Sequence, residues 1–264
     1  MHPLNELSVP EGKVGIHWFG QNSFALKDST GTVVFTDPYF PHDRPPERFI
    51  HSEPPLDEAS LKTDVVLLTH DHGDHTCIES LERIRAGNPQ AVFVGPVESV
   101  ARMIKVGFPA EVLVTAEAGE SLDVGGLTVH ATWSKPPAGA PEDGIDAPDV
   151  QHLGYVIEIG GTRVYVTGDL INTFADHDEL VGPVAELAPD IGLLTMHPNE
   201  GEFPYFDGAV KLAVKLNLDA AVPAHYACFV KRTYDPYEWA KLLPEDGPTP
   251  VIIPYNGSVI YPGS

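Results

Sequence analysis

Four apolar runs in this chain each end on a histidine or an aspartate. Leu68-Thr69 leads to His70, Val166-Thr167-Gly168 to Asp169, Leu194-Thr195-Met196 to His197, and Val222-Pro223-Ala224 to His225. Strands whose ends converge on one edge would gather these side chains into a single cleft, the usual way α/β architectures build sites. The first ending is the densest. His70-Asp71-His72-Gly73-Asp74-His75 puts three imidazoles and two carboxylates directly after Val65-Val66-Leu67-Leu68. Histidine and aspartate are the common nitrogen and oxygen ligands of zinc, manganese and iron. One isolated histidine is ordinary in a polar loop, but this density is not.

The rest of the pattern mixes β-rich and βα-alternating parts, which suits a sheet core flanked by helices. Val14, Ile16 and Trp18 form one alternating face, and Val33-Val34-Phe35 a second run, with the turn cluster Lys27-Asp28-Ser29-Thr30-Gly31 between them. A proline-rich stretch from Pro38 to Pro55 is long enough to cover a site. Thr76-Cys77-Ile78-Glu79 has the form of a capping box, followed by Ile78, Leu81 and Ile84 at helical spacing and a stop at Gly87-Asn88-Pro89. A strand at Ala91–Val94, a helix over Val97–Val106 and strands near Val112–Val114 and Leu127–Val129 come next. A second loop rich in proline, glycine and aspartate spans Lys135–Pro148. It leads to strands Tyr155–Ile157 and Val164–Val166, joined by Gly160-Gly161. The last third alternates: strand Ile191–Thr195, helix Ala209–Leu216, strand Ala220–Val222, helix Tyr237–Leu243.

With 264 residues the chain is expected to form a single domain over its whole length, 1–264. No apolar stretch reaches the length of a membrane span. Met1-His2-Pro3-Leu4-Asn5-Glu6 lacks the basic and apolar regions of a secretory signal. Only Cys77 and Cys228 occur, so a disulfide framework is excluded and a cytoplasmic location is expected. Both thiols follow site motifs closely, but small buried thiols are the simpler reading. Acidic residues number 38 against 16 basic, a net charge of −22. That excess repels polyanions and argues against nucleic acid or an anionic membrane as partner. A small-molecule substrate, even a phosphorylated one, needs only a local basic patch.

The segment His-x-His-x-Asp-His at 70–75 resembles the signature of the metallo-β-lactamase superfamily. Trp18–Phe24 with Thr36-Asp37-Pro38, Tyr165–Asp169 and Pro223-Ala224-His225 resemble its other motifs in order and spacing. Within the superfamily, Val129-His130-Ala131, the Asp143–Asp146 loop and Pro223–Tyr226 are most similar to the L-ascorbate-6-phosphate lactonase branch. The resemblance implies a four-layer αββα sandwich. It also implies one or two divalent transition metal ions, zinc or manganese. His70 and His72 would hold the first, Asp74 and His75 the second, with Asp169 bridging and His225 completing the second. Asp71 would orient a ligand histidine. The family's third histidine for the first metal is missing near Thr132–Lys135, and His152 is favoured over His130 to replace it.

The resemblance further implies a hydrolase in which a metal-bound hydroxide, oriented by Asp74, attacks a small ester or lactone such as a phosphorylated sugar lactone. His197 is a candidate donor to the developing oxyanion, although His197–Glu202 also suits a plain turn. Lys231 and Arg232 could bind a substrate anion or be a surface pair, and Tyr226 and His51 are weaker cleft candidates. A phosphodiesterase on a small or lipid phosphodiester, and a metal-binding sensor without turnover, are the alternative functions.

Overall fold

The computed structural model describes residues 2–263, and its strands divide into two seven-stranded sheets. The first contains β1 (Val14–Trp18), β2 (Phe24–Lys27), β3 (Val33–Thr36), β4 (Val65–Leu67), β5 (Val92–Gly95) and β6 (Leu113–Thr115) in spatial order. The second contains β7 (Ser121–Val124), β8 (Leu127–Trp133), β9 (Leu153–Ile159), β10 (Thr162–Val166), β11 (Ile191–Thr195), β12 (Ala220–Ala224) and β13 (Thr249–Pro250). The last strand, β14 (Gly257–Tyr261), returns to the first sheet and pairs antiparallel with β1. Both sheets share one pairing scheme. Four strands run antiparallel at one end, β14-β1-β2-β3 and β7-β8-β9-β10, and the remaining strands continue in parallel.

Alternation of side chains along the strands splits the core into three apolar layers. Between the sheets, Ile16, Trp18, Val65 and Leu67 face Tyr155, Ile157, Val164 and Leu193. On the outer face of the first sheet, Phe35, Val66 and Phe93 pack in one layer with Leu4 of the short α1 (Pro3–Glu6), Leu81 and Ile84 of α2 (Ile78–Gly87), and Val100 and Met103 of α3 (Val97–Lys105). On the outer face of the second, Val156, Tyr165 and Leu194 meet three helices. These are α4 (Asp178–Glu186), α5 (Phe206–Lys215) and the short α6 (Pro236–Ala240), contributing Leu180, Leu212 and Trp239. The result is the αββα sandwich. Because the central strands are covered on both faces, they read in sequence as near-continuous apolar runs rather than alternating ones.

Local chemistry shifts several expected boundaries. The capping box does not form. Cys77 is the N-cap of α2 without a side-chain cap, while Thr76 Oγ1 donates to the His70 carbonyl at 2.8 Å and meets Ser99 Oγ at 2.8 Å. The Glu79 carboxylate accepts from the His42 N–H and from Arg83 instead. Helix α4 carries Gly182 and Pro183, two poor helix formers that masked it in sequence. The final helix ends at Ala240 rather than Leu243. Strand β12 contains Pro223, which a fully paired strand disfavours. Its neighbour β13 pairs only with Ala220 and Ala221, so Pro223 lies past that ladder. Among the described residues no helix is long and apolar enough to cross a membrane.

Candidate metal centre

The ligand-rich segment leaves β4 under tight control. Leu68 N donates to the Val94 carbonyl and the Tyr155 hydroxyl donates to the Leu68 carbonyl, each at 2.8 Å. Thr69 is held by a carboxylate wholly buried beneath it. Asp37 accepts from Thr69 N at 2.8 Å and from Thr69 Oγ1 at 2.6 Å. The chain then turns sharply, with His75 N and Thr76 N both donating to the His72 carbonyl. That turn brings His70 and His75 onto one side, their ring centroids 3.9 Å apart. At the other sheet, Leu153 N donates to the Thr69 carbonyl at 2.8 Å, which sets His152 beside His70 with the rings stacked at 4.0 Å.

Asp169 follows β10 through Gly168, whose φ is +59°. A side chain at 168 would bring its Cβ to 2.6 Å from the Leu153 carbonyl oxygen and 2.9 Å from Thr69 Cβ, so glycine is required there. His225 follows β12 at φ +68°, with Gln21 and Asp37 also at positive φ. Four non-glycine residues in this region (Gln21, Asp37, His225 and Ala227) hold a conformation that L-residues rarely adopt. Such strain concentrates at functional sites, where the surrounding structure enforces it.

Three overlapping groups result, each with one ligand-type atom per residue lying within 4.8 Å of the others: His70, His72 and His152; His70, His75 and Asp169; Asp74, His75 and His225. Asp169 is central. Its Oδ2 lies 3.4 Å from His75 Nε2 and 3.7 Å from His70 Nε2, and its Oδ1 lies 3.4 Å from His225 Nε2. Asp74 Oδ2 lies 3.9 Å from His75 Nε2 and accepts from Gln21 Nε2 at 2.9 Å. The groups share members, so they read as one continuous two-position cluster.

The electrostatics are those of a cradle for cations. Burial opposes charge on His75, yet Asp169, Asp37 and Asp74 outweigh it and raise the ring's pKa well above the ordinary value. Burial, with His75 close by, holds His70 neutral. Burial, reinforced by Lys135, lowers His152 to about 3. Burial likewise raises the pKa of Asp169, but the surrounding imidazoles reverse this and keep it ionised. Buried polar atoms nearly always find partners. Here His70 Nε2, His75 Nε2, both nitrogens of His152 and His225 Nδ1 have none. Neutral His70 and His152 beside an ionised carboxylate fit divalent transition ions, and an ion bound there would displace the proton that the carboxylates otherwise hold on His75.

Several partners were missed from sequence. Asp71 does not orient a histidine; its Oδ1 accepts from Arg102 Nη1 at 3.3 Å. The orienting carboxylates are Asp37, 2.7 Å from His75 Nδ1, and Asp149, 3.1 Å from His72 Nε2. Asn22 Nδ2 donates to Asp169 Oδ1 at 3.0 Å, and Asn22 Oδ1 in turn accepts from Thr195 Oγ1. His130 lies on β8 against Ser121 and Glu158, apart from the cluster. His51 stacks on Tyr255 at 3.7 Å and Tyr226 packs on Trp18, so neither joins the cluster. His197 Nδ1 accepts from the N–H groups of Asn199 and Glu200, which places the proton on a buried, unpartnered Nε2. Burial also lowers the pKa of His197, favouring the neutral ring.

Residues 32–226 match the model of the beta-lactamase superfamily domain, and the chain belongs to that superfamily. It is 28% identical over 252 residues to a metal-dependent hydrolase of Methanosarcina mazei, covering 93% of this chain and 97% of the relative. Igni18, a metallo hydrolase of Ignicoccus hospitalis, has a similar structure, with TM-score 0.70 and 22% identity over 96% of this chain and 100% of that one. An isothiocyanate hydrolase from Delia radicum gut bacteria superposes with TM-score 0.71 at 16% identity, covering 93% of this chain and 98% of that one. These likenesses establish the shared fold, and a fold of this kind hosts many chemistries.

Proposed function

We propose that this chain is a metal-dependent hydrolase acting on a small ester or lactone, as the lactonase-like motifs suggest. The observation that carries the proposal is the set of buried imidazole nitrogens without partners on His70, His75 and His152, gathered in one cluster with Asp169 and Asp74. His70, His72 and His152 would hold one divalent ion, zinc or manganese, and Asp74, His75 and His225 a second, with Asp169 shared between them. Bound ions would supply Lewis acidity for a carbonyl oxygen and would acidify a water toward neutral pH.

The residues divide the remaining work. Asp74 is the partly exposed carboxylate of the cluster, with Gln21 fixing one oxygen, so it can accept a proton from an attacking water. His197 Nε2–H is a neutral donor, suited to an oxyanion as charge develops on it. Asp37 and Asp149 hold His75 and His72 in one orientation, which keeps their ligand nitrogens aimed. Two unbridged thiols, Cys77 and Cys228, are consistent with the reducing cytoplasm.

The test is elemental analysis of protein made without chelator, then a screen of lactones, esters, thioesters and phosphodiesters. One to two equivalents of metal and turnover of a lactone or ester are expected. Metal content near zero that added metal does not restore would overturn the enzyme reading. Turnover of phosphodiesters alone would replace the substrate class. Stoichiometric metal with no turnover of any of them would favour a metal-binding sensor.

A further inference from the structure

A cleft of about 460 Å³ opens beside Asp74, lined by Glu47, Arg48, Phe229, Lys231 and Arg232. Cations are scarce in this chain, and most are tied to carboxylates. Arg232, for one, pairs with Glu200 at 3.1 Å. Among the described residues Lys13, Lys27, Arg85 and Lys105 form no ion pair with a carboxylate, and neither do Arg44, Arg48 and Lys231. The last three belong to this one region.

Arg44 is the unusual member. It is more than nine-tenths buried, its guanidinium lies 4.4 Å over the Phe49 ring, and its Nε donates to the His51 carbonyl at 2.8 Å. Its Nη1 has no hydrogen-bond partner. A buried guanidinium without a carboxylate is costly to maintain. Arg48 shares the same aromatic frame. Its guanidinium lies 5.3 Å from the centroids of both Phe49 and Phe229, and its Nη2 is 3.4 Å from the Tyr39 hydroxyl. Aromatic stacking positions a guanidinium while leaving most of its N–H groups open.

We propose that this cleft binds the anionic end of the substrate, a carboxylate or a phosphate group, through Arg48 and Lys231. Arg44 supplies fixed positive potential behind them. A surface with this much negative charge repels small anions, so retaining one beside Asp74 requires such a local reversal of sign. Planar guanidinium matches either anion with paired hydrogen bonds, and lysine adds a point charge. The proposal rests on the hydrolase reading above and deepens it, by making the substrate an ester or lactone that also carries a carboxylate or phosphate group rather than a neutral one.

Binding rather than turnover tests it. Metal-loaded protein is titrated with glucose, glucuronate and glucose 6-phosphate, three probes that differ only at one carbon, and heat or NMR shift is recorded. At least one of the two anions should bind and glucose should not. Binding of glucuronate alone assigns a carboxylate, and of glucose 6-phosphate alone a phosphate. Arg48 and Lys231 are exposed, so Arg48→Met and Lys231→Met should fold, as circular dichroism can check. Arg48→Met should weaken the anion at least about tenfold, the scale of a lost charge-assisted contact, and Lys231→Met less. Three results overturn the proposal: neither anion binds, glucose binds as tightly as they do, or anion affinity survives both substitutions. Survival would place the anion on the metal ions instead. Failure of every lactone, ester, thioester and phosphodiester to react overturns the hydrolase reading and leaves this binding result to be read independently.

Discussion

Asp74 and Asp37 show how two aspartates near one cluster take different work. Asp37 is wholly buried and saturated by Thr69 and His75, so it has no capacity left for chemistry. Asp74 keeps an edge toward the cleft and has one oxygen fixed by Gln21. Asp74→Asn should therefore retain metal at the His70, His72 and His152 position and lose about 10²–10⁴-fold in kcat, the scale of a positioned base. Metal content and kcat on the best substrate, measured side by side, check this; a nearly unchanged kcat would remove Asp74 from the proton transfer. At this scale the sequence was readable where chemistry clusters locally. His70, His72, Asp74 and His75 lie within six residues, and their density marked them as candidate ligands. Gln21, Asn22 and Asp149 were not readable as partners, because each meets the cluster across a sequence separation that only the fold closes. Asp71 was misassigned for the converse reason: adjacency in sequence suggested a role that its side chain gives to Arg102.

Strands and helices transmit that local order. Tyr155 on β9 crosses the interior to donate to the Leu68 carbonyl at 2.8 Å, one residue before the Asp37-held Thr69. Tyr155→Phe keeps the ring and leaves that carbonyl short of a donor. It should destabilise the protein by about 1–2 kcal/mol, read as a lower urea midpoint with unchanged slope. On β1, His17 Nε2 donates to Asn256 Oδ1 at 2.9 Å and Nδ1 accepts from Ser258 Oγ at 2.6 Å, welding β1 to the closing strand β14. Burial lowers its pKa to about 4, against 6.5 when unfolded. Between those values the unfolded chain binds the extra proton, so this contribution is intact above pH 6.5 and is lost as pH falls toward 4. The loss is on the order of 3 kcal/mol. His17→Gln should flatten the dependence of stability on pH across that window, measured by urea unfolding at several pH values; an unchanged slope would show that His17 is not its source. The strand runs were legible from apolar content. Helix α4 was hidden by Gly182 and Pro183, and β13 and β14 are too short or too polar to announce themselves.

At the scale of the whole molecule, the two sheets repeat one pairing scheme, and the cluster lies where their edges meet. His70, His72, Asp74 and His75 come from the first sheet's connections, while His152, Asp169 and His225 come from the second's. Neither sheet owns a complete donor set. An ion held there would act as a rivet driven through both plates of the sandwich, so its affinity and the cohesion of the fold are one quantity seen from two sides. Ligand that binds only the folded state adds about 2.7 kcal/mol at a hundredfold excess over Kd. Stripping the metal should then lower Tm by several degrees and readdition should restore it, in calorimetry of the same sample. The loosening should appear first in hydrogen exchange at Leu153, whose amide ties the second plate to the Thr69 carbonyl of the first beside the rivet, while the outer helices keep their protection.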